Sequence, residues 1–254
     1  MAHDAFSPLG RRDFLELALG GMALGLIAAS PFAALAQAAA GGARLKIGTI
    51  GAGREGGALG TLFARHGHPV MFSSRNPEQL KELVASAGPH AQAGTVEQAV
   101  AFGDVIFLVV PYTAVEQIGK QHGKALAEKR LVLDVSNPIA RRDGEDIVKW
   151  ANDQGGAGLA TQKLLPGAHL VRAFNAIGSG RLADDSERKG DPVGVPIAGD
   201  DQAAVELASS LIKQVGFEPV LVGGLAMGKY LVPGTPLAGE HSPAEIREIA
   251  ENLH

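Results

Sequence analysis

The stretch Leu45–Gly57, LKIGTIGAGREGG, constrains the fold more than any other part of the chain. Leu45–Ile50 is apolar and β-branched, as a short buried strand requires. Gly51-Ala52-Gly53-Arg54-Glu55-Gly56 then fits G-x-G-x-x-G, and Leu59, Leu62 and Phe63 follow on one face of a helix. Strand, tight turn and helix in that order form the dinucleotide-binding fingerprint. The three glycines act mechanically. Gly51 makes the turn, Gly53 admits a pyrophosphate to the backbone, and Gly56 packs the helix on the strand. The helix N-terminus offers free N–H groups and a partial positive charge to the phosphates. The competing reading, a glycine-rich turn that only packs, has to be weighed in a chain with 34 glycines.

Composition narrows what else the chain can be. Its 254 residues suffice for one large domain or two small ones. A net charge of -4 argues against nucleic acid and shows no basic patch for a membrane surface. At 5% the aromatics are too few for base-stacking platforms. The absence of cysteine excludes disulfides, thiolate catalysis and cysteine metal sites. His66, His68, His90, His122, His169 and His241 are scattered, with no i, i+4 ligand pair beside an acid, so no metal site is expected. No G-x-S-x-G or Ser-His-Asp arrangement is present either.

Residues 1–40 read as an export leader outside the fold. Gly10-Arg11-Arg12-Asp13-Phe14-Leu15 resembles a twin-arginine signal in part, with Gly10 and Glu16 departing from its usual form. An apolar stretch, Leu17–Ala29, and small residues with candidate cleavage sites at 34–36 and 36–38 follow. That stretch is short and glycine-rich for a membrane span, so a cleaved signal, a periplasmic mature protein and no stable membrane insertion are expected. The twin-arginine route carries folded cargo, so a cofactor could leave already bound. Residues 41–180 are expected to form a dinucleotide-binding domain. Residues 181–254 are expected to form a C-terminal α/β extension and tail on the same sheet.

The second strand, Pro69–Phe72, ends at Ser73-Ser74-Arg75. An NAD enzyme usually carries an acid here for the ribose 2′-hydroxyl. Two hydroxyls and a guanidinium suit a 2′-phosphate instead, which points to NADP. The plainer alternative makes Arg75 a solvated turn residue and the serines helix caps. Asn76, Pro77 and Gln79 read as cap, first turn and capping box of a helix ending at Gly88, and Thr95–Gln98 as a second capping box. Asp104–Val110 is an apolar run, as expected of a strand buried on both faces. Ligands of open α/β sheets sit beyond strand carboxyl ends, so Val110, Pro111 and Tyr112 should lie near the nicotinamide half. Tyr112 could equally pack on the next helix with its hydroxyl in water.

Further along, 113–129 reads as helical but broken at Gly119 and Gly123, and Leu131–Val135 as a strand ending at Asn137-Pro138. The Asn137 amide could bind ribose or carboxamide, or only turn the chain. Residues 141–168 look irregular, with a helix near 146–152. Leu170–Phe174 is a strand leading to Asn175 and a Gly-Ser-Gly rim. Residues 181–191 read as a solvated loop or flap. Val193–Ala198 is a strand whose Pro196 suggests an edge, and helix 202–215, strand 219–222 and a short terminal helix complete the chain. Alternating strands and helices give an α/β, doubly wound, mostly parallel sheet. Tyr112, Asn137 and Asn175 are the cleft candidates for catalysis.

Taken together, GxGxxG, Ser73-Ser74-Arg75, Val109–Tyr112, Asn137-Pro138, Arg172–Gly180 and Val195–Asp201 resemble, in this order, NADPH-dependent 8-hydroxy-5-deazaflavin (coenzyme F-420) reductase-like proteins. The likeness spans about residues 45–236. It extends to the oxidoreductase domain of membrane ferric reductases, where NADPH reduces a flavin. The resemblance implies NADP at Ala52, Arg54, Glu55, Ser74 and Arg75, and a deazaflavin or flavin stacked in the cleft for direct hydride transfer. Such chemistry needs proximity more than an acid or base. The competing classes are an NADPH-dependent imine or carbonyl reductase and a non-catalytic NADP-binding protein. The partner in the first two readings is a small-molecule redox acceptor, and free strand edges leave room for a homodimer.

Overall fold

Strand β1 (Ile47–Ile50) is fully buried because it lies mid-sheet, with β2 (Val70–Ser73) on one side and β4 (Val105–Leu108) on the other. The computed structural model describes residues 44–253. The leader reading at 1–40 therefore lies outside the described residues. Among them, eight strands form one sheet in the order β3-β2-β1-β4-β5-β6-β7-β8, where β3 is Ala91–Gly94, β5 Leu131–Asp134, β6 Leu170–Arg172, β7 Gly194–Gly199 and β8 Glu218–Gly223. All neighbouring pairs are parallel except β6 and β7, which run antiparallel. The first six strands have the doubly wound order that places ligands at the carboxyl ends.

Both faces are covered, so β4 reads as a continuous apolar run. Val105 and Phe107 point to one layer and Ile106 and Leu108 to the other. On the first layer sit α1 (Arg54–Arg65), with Leu59, Leu62 and Phe63 buried, and α9 (Gln202–Gln214), with Ala204, Ala208 and Leu211 buried. The Phe63 ring meets Phe107 edge-on with centroids 4.9 Å apart. Such a contact adds about 0.5–1.5 kcal/mol beyond area burial. On the other layer lie α3 (Val96–Phe102), α4 (Val115–Ala127) and α7 (Ala157–Leu164). Helix α3 starts with the capping box expected at Thr95 and Gln98.

Several sequence expectations are corrected here. Asn76 makes no side-chain cap. Residues Pro77–Leu80 form a 3-10 turn before α2 (Lys81–Ala87), and the Ser74 hydroxyl instead accepts the Asn76 amide at 3.0 Å. Gly119 and Gly123 do not break α4. Gly119 serves close packing, since a Cβ there would lie 2.1 Å from the Leu164 carbonyl. Residues 140–164 are regular, forming α5 (Ala140–Asp143), α6 (Glu145–Asp153) and α7. Residues 181–191 are anchored by α8 (Leu182–Ser186), whose Leu182 and Asp185 are buried. Pro196 stands on an inner strand, but β6 meets β7 only at Ala198 and Gly199, so its missing N–H costs no bond to β6. The terminal helix α10 (Pro243–Glu251) begins with a second capping box, at Ser242 and Glu245, and covers β8 through Ile246.

His68 is buried before β2, with Nδ1 3.1 Å from the Leu45 carbonyl and Nε2 3.0 Å from the Gln214 side chain. Burial holds its pKa below the ordinary 6.5, against the two hydrogen bonds. A folded-state pKa below the unfolded one gives stability that is present above the unfolded value and falls as pH drops through it. The melting temperature should therefore decline from pH 7 to pH 5, and His68→Asn should flatten that decline. Equal pH slopes for both proteins would exclude His68 as its source.

Candidate functional site

The turn after β1 has the geometry a phosphate-binding loop needs. Gly51 takes φ +97, and a Cβ there would lie 2.2 Å from the Val109 carbonyl. A Cβ on Gly56 would lie 1.9 Å from the Gly51 carbonyl, so the first turn of α1 closes on the loop without a side chain. At Gly53 nothing lies within 4 Å of a built Cβ, so the backbone there is open to an approaching ligand. The Gly57 amide begins the helix ladder on Gly53 at 2.7 Å, which leaves the preceding amides at the helix end free.

From this loop a groove of about 640 Å³ runs past Ala52 and Ser73–Arg75. Ser74 is half-buried, and Arg75 is exposed with no hydrogen bond or ion pair among the described residues. Ser73 differs from its neighbours: it is fully buried, and its hydroxyl donates to the Thr49 carbonyl at 2.8 Å, tying β2 to β1. Val96 and Ile118, from α3 and α4, form the far wall of the groove. The sequence reading missed that wall because the two helices are distant from the loop along the chain.

On the other side of the loop lies a cleft of about 730 Å³, which shares Gly53, Val110 and Pro111 with the groove. The carboxyl ends of β1, β4, β5 and β6 border it, and Asn137 and Asn175 both line it. Tyr112 does not. Its side chain is 2% exposed, and its hydroxyl donates to the Ala157 carbonyl and pairs with the Thr161 hydroxyl, each at 3.1 Å. Burial, with Asp134 nearby, pushes its pKa up to about 12. The cleft reading of Tyr112 is thus corrected: the 3-10 turn Tyr112–Ala114 swings the ring under α7 rather than toward the strand ends.

The two asparagines hold one another. Asn137 Nδ2 donates to the Asn175 carbonyl at 2.7 Å, and its Oδ1 accepts from Arg172 Nη2 at 2.8 Å. Asn175 Nδ2 donates to the Asp134 carbonyl at 3.0 Å. Phe174, just before it, is the non-glycine residue at positive φ (+59) among the described residues, and its ring rests edge-on against Phe217. That backbone turn brings the Asn175 amide back over the strand ends. Both side chains are therefore engaged in shaping the cleft floor.

Beneath that floor lies an ion pair the sequence reading did not find. Arg172 and Asp134 are 0% exposed, and Arg172 Nη1 donates to Asp134 Oδ2 at 2.6 Å and to the Ser136 carbonyl at 2.9 Å. Asp134 Oδ1 accepts the Ser136 amide at 2.9 Å. Gly158 and Gly228 make room for the arginine stem: a Cβ on Gly228 would lie 2.6 Å from Arg172 Cδ. The available signal was a single charge closing each of two apolar strands, LVLD and LVR.

The walls carry charge. Glu55 is not turned to solvent: its carboxylate accepts the Ser179 amide at 3.2 Å and so ties α1 to the segment after β6. Arg142 donates to Asp143 and, at 2.6 Å, to the Asn137 carbonyl. Burial raises the Asp143 carboxyl, but the Arg142 guanidinium and the Ile139 amide outweigh it and hold the group below the usual carboxylate range. Arg54 and Arg141 line the cleft without such partners. Among the described residues, no cluster of three or more metal-binding side chains occurs, and no helix is long and apolar enough to cross a membrane.

Comparison with known proteins agrees with this fold. Residues 46–138 match the family model for NADP oxidoreductase, coenzyme F420-dependent. Metalloreductase STEAP3 of Rattus norvegicus is 32% identical over 187 residues, which is 72% of this chain and 35% of that protein. The chain thus spans about a third of that relative's length. A hypothetical protein from Sinorhizobium meliloti is 26% identical, with a TM-score of 0.64 over 79% of this chain and 96% of that one. A candidate F420-dependent NADP-reductase from Arthrobacter sp. FB24 shares the fold at 20% identity and a TM-score of 0.63, covering 73% and 87% of the two chains. The chain has the Rossmann-like fold of the NADP-dependent oxidoreductases, and that is the class its sheet and phosphate loop define. Within that class, its segment from the first strand to Pro138 carries the pattern of the coenzyme F420-dependent NADP oxidoreductases.

Proposed function

We propose that the protein moves hydride between NADP(H) and a deazaflavin or flavin-like acceptor in the cleft beside the phosphate loop. The observation that carries this reading is the continuity of groove and cleft at Gly53, Val110 and Pro111. A dinucleotide with its 2′-phosphate at Ser74 and Arg75 and its pyrophosphate on Gly51–Gly56 would extend its other half past Val110 and Pro111. The open face of Gly53 and the unpaired Arg75 fit such a ligand in shape and charge. NADP, when bound, supplies the hydride carrier. The protein's own contribution is to bind, orient and enclose. Gly53 gives backbone access, Arg75 meets the 2′-phosphate, and the interlocked Asn137 and Asn175 keep the cleft floor fixed. Fixed geometry of this kind suffices for direct hydride transfer, which needs closeness more than proton exchange.

Arg75→Ala tests the cofactor assignment. A charge-assisted hydrogen bond contributes about 1.5–3 kcal/mol, so NADPH should bind roughly 10- to 100-fold more weakly. NADH, which lacks the 2′-phosphate, should change little. Equal losses for the two, measured by titration of protein fluorescence, would exclude a 2′-phosphate contact at Arg75.

A further inference from the structure

The cleft holds a cation that neither the fold nor a dinucleotide on the phosphate loop accounts for. Four charged side chains line it: Arg54, Arg141, Arg142 and Glu55. Arg142 is neutralised by Asp143 and bonded to the Asn137 carbonyl, and Glu55 is held by the Ser179 amide. Arg54 opens α1 on the phosphate loop itself, where pyrophosphate charge would fall. Arg141 remains. It is exposed, has no hydrogen bond or ion pair among the described residues, and stands on α5, beyond the carboxyl end of β5.

Its place in the fold sets it apart from the cofactor's phosphates. In the sheet, β5 is two strands from β1, with β4 between them. At ~4.8 Å per strand, the segment carrying Arg141 starts roughly 10 Å to the side of the phosphate loop. The helix that displays it is held in place from next door: the Asp143 carboxylate accepts the Ile139 amide at 2.9 Å and grips Arg142. A guanidinium free of protein partners on the cleft wall, carried by the segment after β5, is suited to a second anion, because its fork matches phosphate and carboxylate oxygens.

We infer that Arg141 receives an anionic group, a phosphate or carboxylate, borne by the hydride acceptor, so that the acceptor is a charged molecule and not a neutral ring alone. This rests on the hydride-transfer reading above and adds the substrate class to it.

FMN and riboflavin are the probes, since they share one ring system and differ by a phosphate. Their binding to the full chain loaded with NADP is followed by flavin fluorescence, and NADPH oxidation is followed alongside. FMN should bind about tenfold or more tightly than riboflavin. Arg141→Ala should bring the two affinities together through a loss on FMN, and Arg141→Lys should keep part of the difference. Competition by inorganic phosphate but not glutarate assigns the group to phosphate, and the reverse pattern assigns it to carboxylate. Equal binding of FMN and riboflavin to the unaltered protein overturns the inference. So does an Arg141→Ala variant that loses NADPH and FMN affinity alike, because Arg141 would then serve the cofactor. Charge-selective FMN binding without NADPH oxidation keeps the Arg141 site and overturns the hydride-transfer reading.

Discussion

Arg172→Met should destabilise the protein by about 3–5 kcal/mol, because it leaves Asp134 as an uncompensated charge in a dry interior. Both side chains are 0% exposed, so no water can take the place of the guanidinium without opening the sheet. The variant also removes the donor to Asn137 Oδ1 and the donor to the Ser136 carbonyl, so the cleft floor should loosen with the core. Removing the pair together is a different matter. Arg172 Nε and Asn175 Oδ1 have no partner in this network, which is thus incompletely satisfied. A double variant, Arg172→Met with Asp134→Leu, should recover much of the single variant's loss. Urea unfolding of the wild type, the two single variants and the double variant closes the cycle. A loss of about 1 kcal/mol or less for Arg172→Met would show that the pair carries little coupling.

The second large effect is expected at Gly53, and it should separate binding from folding. Gly53 has φ -73 and ψ -164, a conformation any residue adopts, and a side chain there meets nothing within 4 Å. Gly53→Val should therefore fold with an unchanged melting temperature. Its branched side chain would nonetheless stand where a pyrophosphate must approach the backbone, so dinucleotide affinity should fall about 100-fold or more, some 2.7 kcal/mol. Gly56→Ala makes the contrast, since its Cβ would press within 1.9 Å of the Gly51 carbonyl and distort loop and helix together. Calorimetric melting beside NADPH titration distinguishes the two. Undiminished NADPH affinity in Gly53→Val would remove the phosphate from this loop.

Much of this was legible in the sequence, because the informative signals are local. The strand–glycine–helix unit, the apolar run of β4 and the boxes at Thr95 and Ser242 depend on neighbours within a few residues. What was not legible depends on distant partners. Pro196 reads as an edge residue until β6 is seen to stop short of it. Gly119 reads as a helix breaker until the Leu164 carbonyl is found against it. Tyr112 follows a strand end and so reads as a cleft residue, yet Ala157 and Thr161, some 45 positions on, claim its hydroxyl. Arg172 and Asp134 stand 38 residues apart, and nothing short-range pairs them. The Asn137 and Asn175 positions were readable as strand ends. Their mutual bonding was not, because it depends on how Phe174 turns the backbone.

The reversal at β7 gives the molecule two poles. Six parallel strands, β1 to β6, deliver their carboxyl ends to the pole that holds the cleft. Strands β7 and β8 run the other way, so the chain leaving them emerges at the opposite pole, at Asp200 and Gly224. The last quarter of the protein is therefore mostly buttress. It can lengthen or vary at those exits away from the cleft, while among the described residues its later chain brings Pro233 to the cleft and the Gly239 amide to the Ala176 carbonyl. Selectivity on that side of the cleft is left to a few residues of one returning strap, a small surface on which to alter what the protein accepts.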